Sequence, residues 1–89
     1  MMVPVYGFLQ GDVMGVVVLA QDHETLTEVA AKLFQAASMR VAPYANYEMR
    51  LNGRPLQIEM TVTEAGILPL DRLDIVRSTR RKRDSEVMQ

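Results

Sequence analysis

The sequence predicts an α+β fold: one five-stranded mixed sheet with a single helix across one face. Three observations carry this reading. Two hairpin-type turns, Gly11-Asp12 and Asn52-Gly53, flank the one long stretch with helical periodicity. A β-branched apolar run returns at Leu73–Arg77, after both hairpins. The 89 residues suit one domain, and residues 3–77 hold all of the periodic pattern.

Val3–Gln10 is apolar-rich and predicts the first strand. Gly11-Asp12 supplies a two-residue turn, and Val13–Ala20, apolar at nearly every position, predicts the returning strand. Thr25-Leu26-Thr27-Glu28 has capping-box spacing, in which Thr25 and Glu28 satisfy each other's backbone N–H groups. Leu26, Val29, Ala30, Leu33, Phe34 and Ala37 then recur at intervals of three and four, with Glu28 and Lys32 as a solvent-side pair. The helix is expected to run from Thr25 to about Met39, because Pro43 disfavours helical geometry at Ala42. Tyr47–Leu51 alternates as a half-buried strand does. Asn52-Gly53 turns it into a short strand over Pro55–Ile58, expected at an edge because Pro lacks a donor. Thr61–Gly66 reads as one helical turn closed by a left-handed Gly66. The order β-β-α-β-β-β, with the last strand central and parallel to the first, is the β-grasp (ubiquitin-like) layout. Leu26, Val29, Leu33, Leu73 and Ile75 are its expected core.

Composition excludes several classes of function. The chain has no Cys and one His, so neither disulfides nor thiol catalysis nor a His-rich metal site is available. His23 reads as a solvated loop residue, and Asp71 and Asp74 as a turn residue and a solvent-facing strand residue. The five glycines are scattered and form no phosphate-binding loop. The longest apolar run, Val13–Ala20, spans eight residues, against the ~20 of a membrane-crossing helix. No signal peptide is recognisable, and with the lack of Cys this suggests a cytoplasmic protein.

Charge divides the chain. Five basic and nine acidic residues lie before position 77, and five basic and two acidic from 77 onward. An acidic body thus precedes a basic tail, 78–89, without apolar periodicity and expected to be mobile. The body has no interleaving of aromatic and basic residues, so nucleic acid is not the expected partner.

One feature exceeds what a small monomer needs. With Gly11-Asp12 as the turn, Leu9 faces Met14 and Tyr6 faces Val17. One face of the hairpin then carries Val5, Leu9, Met14, Val16 and Val18. The other carries Tyr6, Phe8, Val17 and Leu19, with Phe8 across from Gly15. A single helix covers one face, so the second apolar face requires another cover. Such faces mark interaction sites. The expected interface comprises Tyr6, Phe8, Val17 and Leu19, with Arg40, Val41, Pro43 and Tyr44 from the loop after the helix.

The stretches Val3-Pro4-Val5, Val16-Val17-Val18, Leu26-Thr27-Glu28-Val29-Ala30-Ala31-Lys32, Arg40-Val41-Ala42-Pro43 and Met60-Thr61-Val62-Thr63-Glu64-Ala65-Gly66-Ile67 resemble a known family. This is the small γ subunit of bacterial multicomponent di-iron monooxygenase hydroxylases, of the toluene, alkene and isoprene type, and the resemblance covers about residues 3–76. It implies a ubiquitin-like subunit without catalytic residues or a cofactor of its own. The di-iron centre would lie in the large α subunit, and the hydroxylase would hold two copies each of α, β and γ. A reductase, a Rieske ferredoxin and an effector protein would complete the system. The alternative is a stand-alone ubiquitin-like interaction protein, such as those accompanying type VII secretion. A conjugated modifier is not expected, since Val87-Met88-Gln89 offers no Gly-Gly end.

Overall fold

The computed structural model describes residues 1–78; the expectation of a mobile basic tail falls, beyond Ser78, outside the described residues. The elements are β1 (Met2–Leu9), β2 (Val16–Gln21), α1 (Leu26–Ala36), β3 (Tyr47–Leu51), β4 (Arg54–Leu56), α2 (Val62–Ala65) and β5 (Arg72–Arg77). They form one sheet of strand order β2-β1-β5-β3-β4. β5 runs parallel to β1 and antiparallel to β3, so the last strand occupies the centre as expected.

Alternation along β1 assigns its two faces. Val3, Val5, Gly7 and Leu9 point toward α1, and the three with apolar side chains are buried. From α1, Leu26, Val29, Ala30, Leu33 and Phe34 meet them, joined by Leu73 and Ile75 of β5 and Met49 and Leu51 of β3. All five residues of the expected core are fully buried. The helix lies so close to β1 at Gly7 that a Cβ there would stand 2.4 Å from Leu33 Cδ2. Gly7 is therefore a spacing residue in an otherwise regular strand.

Both helices begin with a complete capping box, Thr25 with Glu28 and Thr61 with Glu64. The two starts are stitched together: Leu26 N–H donates to Met60 O, and Val62 N–H to Glu24 O. Gly66 closes α2 with φ 74°, and Asn52 (φ 53°) and Gly53 (φ 86°) make the tight β3–β4 turn.

Several boundaries differ from expectation. The helix ends at Ala36 rather than Met39, because Ala37 leaves helical geometry and its carbonyl accepts from both Arg40 and Val41. β4 covers Arg54–Leu56 rather than Pro55–Ile58, since Ile58 O is taken by the Thr27 N–H and hydroxyl. β2 begins at Val16, not Val13, and Met14 lies exposed rather than in the core. The expected register nevertheless holds: Tyr6 pairs with Val17 and Val5 with Val18. The intervening loop is wider than a two-residue turn: Asp12 N–H donates to Leu9 O, and the Asp12 carboxylate accepts from Met14 N–H and from Arg40. The Glu28–Lys32 pair is absent: Glu28 is engaged in the capping box, and Lys32 reaches Glu24 and Leu19 O.

The contact between Leu33 and Gly7 gives a paired prediction. Leu33→Ala should cost about 2–5 kcal/mol in denaturant melts. Gly7→Ala should cost about 1–3 kcal/mol in the wild-type background. With Leu33 truncated, most of the Gly7→Ala penalty should disappear, since the added methyl then enters vacated space. Additive losses would place the strain elsewhere.

Candidate interaction surface

On the face of the sheet away from α1, β1 contributes Met2, Pro4, Tyr6 and Phe8, and β2 contributes Val17 and Leu19. Val17 is 55% and Leu19 51% exposed. Tyr6 and Phe8 contact each other with ring centroids 4.7 Å apart. Both rings lean over Gly15, where a Cβ would come within 2.9 Å of each. Here too a glycine is required by close approach, in this case of aromatic rings. The four hairpin residues expected from the sequence thus lie together on the face of the sheet opposite α1.

The other half of this face is charged and balances itself. Arg72 and Asp74 of β5 pair at 3.0 Å, and Arg50 and Glu48 of β3 at 2.6 Å. Arg50 lies directly opposite Asp74 in the ladder. The Arg72 guanidinium also covers the Phe8 ring, 4.1 Å from its centroid, joining the two halves. An apolar centre beside a neutral polar border is the anatomy of a protein interface. Leu70, exposed and with φ 64°, stands where its N–H donates to Pro4 O. No composition signal marks a leucine for a left-handed position, and the sequence reading missed it.

The loop after α1 divides differently. Arg40 clasps Asp12 through two bonds of 2.8 Å, leaving the carboxylate side chain 1% exposed. Arg40 holds the Asp12 carboxyl below its ordinary range, and Asp12 raises the guanidinium in return. Tyr44 packs edge-on against Phe34, and its hydroxyl donates to Gln10 O. Val41 is 7% exposed and belongs to the core, so its side chain is not offered to a partner. Pro43 is exposed. Arg40 and Tyr44 tie this loop to the end of the hairpin rather than to the open face of the sheet.

The outer edge of β2 is partly closed. Lys32 Nζ donates to Leu19 O at 2.8 Å and to Glu24 Oε1 at 2.7 Å, and the same Glu24 oxygen accepts from Gln21 N–H at 2.7 Å. The Lys32 bond, followed by the Gln21 N–H, lowers the Glu24 pKa.

Among the described residues, the side chains weighed for catalysis do not assemble into a site. His23 is exposed beside Asp22, and Asp71 caps its own turn by accepting from Leu68 N–H. Among the described residues, no three His, Cys, Asp or Glu side chains come together to hold a metal. No described helix is long and apolar enough to cross a membrane.

Among the described residues the molecule is a ubiquitin-like sheet with one open, partly apolar face and no assembled catalytic group. Residues 2–76 match the family of toluene-4-monooxygenase system protein B (TmoB), and the chain belongs to that family. It is a non-catalytic subunit of a monooxygenase system. A chain in the structure of the toluene 4-monooxygenase HD complex with the inhibitor 4-bromobenzoate is similar, with TM-score 0.79 and 23% identity over 88% of this chain and 100% of that one. Ubiquitin of Caldiarchaeum subterraneum is similar with TM-score 0.70 and 16% identity, covering 90% and 98%. A designed protein based on ubiquitin is similar with TM-score 0.76 and 20% identity, covering 91% and 94%. At these identities the likenesses establish the shared fold. No curated protein sequence gives a significant match.

The Asp12–Arg40 clasp predicts a pH dependence. Asp12 has a lowered folded-state pKa, so its contribution is present above the unfolded value, near 3.8, and is lost as pH falls through the folded value. Wild type should therefore melt above Asp12→Asn at about pH 5 and higher, and the gap should close as the solution is acidified. A gap that persists unchanged down to about pH 2 would deny the clasp its ionic character.

Proposed function

We propose that this chain is the γ subunit of a di-iron hydroxylase that oxidises a hydrocarbon with O2, and that it docks through the open face of its sheet. The di-iron centre belongs to the large α subunit, and the hydroxylase holds two copies each of α, β and γ. An effector protein, a Rieske ferredoxin and a reductase serve the same system in the cytoplasm. The single observation that carries the docking reading is the face itself. Tyr6, Phe8, Val17 and Leu19 sit side by side; among the described residues Tyr6, Val17 and Leu19 stay exposed, and Phe8 is partly covered by Arg72. Obligate interfaces are more apolar than transient ones, and their hydrophobic centre excludes water when the partner seats. The neighbouring charges are already paired within the chain, so burial beside an apolar partner leaves no lone ion to desolvate. Family membership supports the partner assignment, and so does the likeness to a chain of the toluene 4-monooxygenase HD complex.

The test is co-expression with the neighbouring oxygenase genes, a tag on this chain, and size-exclusion chromatography with iron analysis. Iron and hydroxylation should travel only with the complex. A chain that ignores the oxygenase subunits, or that retains stoichiometric iron alone, contradicts the reading. Val17→Lys should weaken assembly by roughly 3 kcal/mol, more than a hundredfold in Kd, because it buries an unpaired charge at a closed interface. The isolated fold should change by only about 0.5 kcal/mol, since Val17 is exposed there. Equal losses in both measurements would assign Val17 to folding rather than docking.

A further inference from the structure

The two sides of β1 settle which backbone groups of β2 face outward. Tyr6 N–H donates to Asp71 O, and Pro4 O accepts from Leu70 N–H, so the even-numbered residues of β1 turn their polar groups toward β5. Val3, Val5 and Gly7 therefore bond β2, through their partners Ala20, Val18 and Val16. Val17, Leu19 and Gln21 consequently point their N–H and C=O groups away from the sheet. Gln21 is fully engaged: its N–H goes to Glu24 Oε1, and its carbonyl accepts from Glu24 N–H. Leu19 O is held by Lys32. Among the described residues, three groups of this edge stay open: the Val17 N–H, the Val17 carbonyl and the Leu19 N–H.

We propose that Val17–Leu19 is a strand-addition site for an extended segment of the large hydroxylase subunit, running parallel to β2. The inference rests on the hydroxylase reading above. The three open groups match three successive residues of a parallel strand. The first residue's carbonyl accepts from Val17 N–H; the third donates its N–H to Val17 O and accepts from Leu19 N–H through its carbonyl. An antiparallel segment fits worse. Its residue opposite Leu19 would aim an N–H at Leu19 O, where the Lys32 ammonium already donates. The Glu24–Lys32 pair thus plugs one half of the edge and sets where the added strand ends. The segment is apolar in character. Its middle side chain lies beside Val17 on the open face, extending the surface formed with Tyr6 and Leu19. Strand addition and face docking form one continuous contact.

The test is residue-resolved amide hydrogen exchange of this chain, free and in the co-expressed complex, read by fragmentation mass spectrometry after quenching. Val16, Val18 and Ala20 should be protected in both states, because they bond β1. Val17 and Leu19 should exchange fast in the free chain and slow on the order of a hundredfold in the complex. This alternate-residue pattern distinguishes added backbone bonds from burial of side chains. A stable complex in which Val17 and Leu19 exchange as in the free chain overturns strand addition and leaves the hydroxylase reading standing. Failure to form any complex overturns both. The same protection in the free chain at high concentration assigns the edge to a second copy and overturns the partner assignment. A second readout is Val17→Pro against Val17→Ala. Proline removes the outward N–H without touching the β1 ladder, whereas alanine keeps it. Val17→Pro should assemble at least tenfold more weakly than Val17→Ala at matched thermal stability; equal assembly overturns the proposal.

Discussion

The packing of Leu33 onto β1 at Gly7 sets how closely α1 lies against the sheet, and much of the structure depends on that distance. With the helix pressed this close, Val5, Leu9, Val29, Leu73 and Ile75 meet in one dry layer. A chain of this size has little surplus stability, so a dense layer matters more than it would in a larger domain. The same arrangement places the large apolar side chains of α1, Leu26, Val29, Leu33 and Phe34, on one side. The opposite side of the hairpin is left to Tyr6, Phe8, Val17 and Leu19, and no other described helix or strand packs across them. Exposure of that face follows from the architecture and needs no distortion of it.

Polar groups reinforce the division. The two capping boxes are bridged by backbone bonds, which fix the start of α1 to the start of α2. Arg40 and Tyr44 tie the far end of the hairpin to the loop after α1. The helix side is therefore closed at both ends by hydrogen bonds. The open face carries only local, self-cancelling ion pairs, which individually stabilise the fold little but keep the surface neutral. A subunit of this kind presents a preformed surface and loses little order on docking.

Much of this was legible in the sequence because the signals were local. Thr25-x-x-Glu28 marked the start of α1, Asn52-Gly53 marked the β3–β4 turn, and Gly66 marked the end of α2. The pleat alone assigned Tyr6 and Val17 to one face once the register followed from the Gly11-Asp12 position. What escaped was long-range. Asp12 was readable as a turn residue, but its bond to Arg40 spans 28 positions, and in the loop that carries it Met14 is exposed and β2 starts only at Val16. Lys32 was readable as an i,i+4 partner of Glu28, but the sheet edge offers it Glu24 and Leu19 O, and Glu28 is already engaged in its cap. Val41 followed Arg40 into the expected interface by adjacency alone, while the turn at Ala37 folds it into the core.

The central claim is that the open sheet face, and not the helix, meets the large oxygenase subunit. Site-specific photo-crosslinking reads this directly, with a benzophenone amino acid placed at position 17 on the open face or at position 35 on the exposed side of α1. Crosslinks to the large subunit from position 17, with little or none from position 35, are the predicted result. Crosslinks from position 35 alone would contradict it.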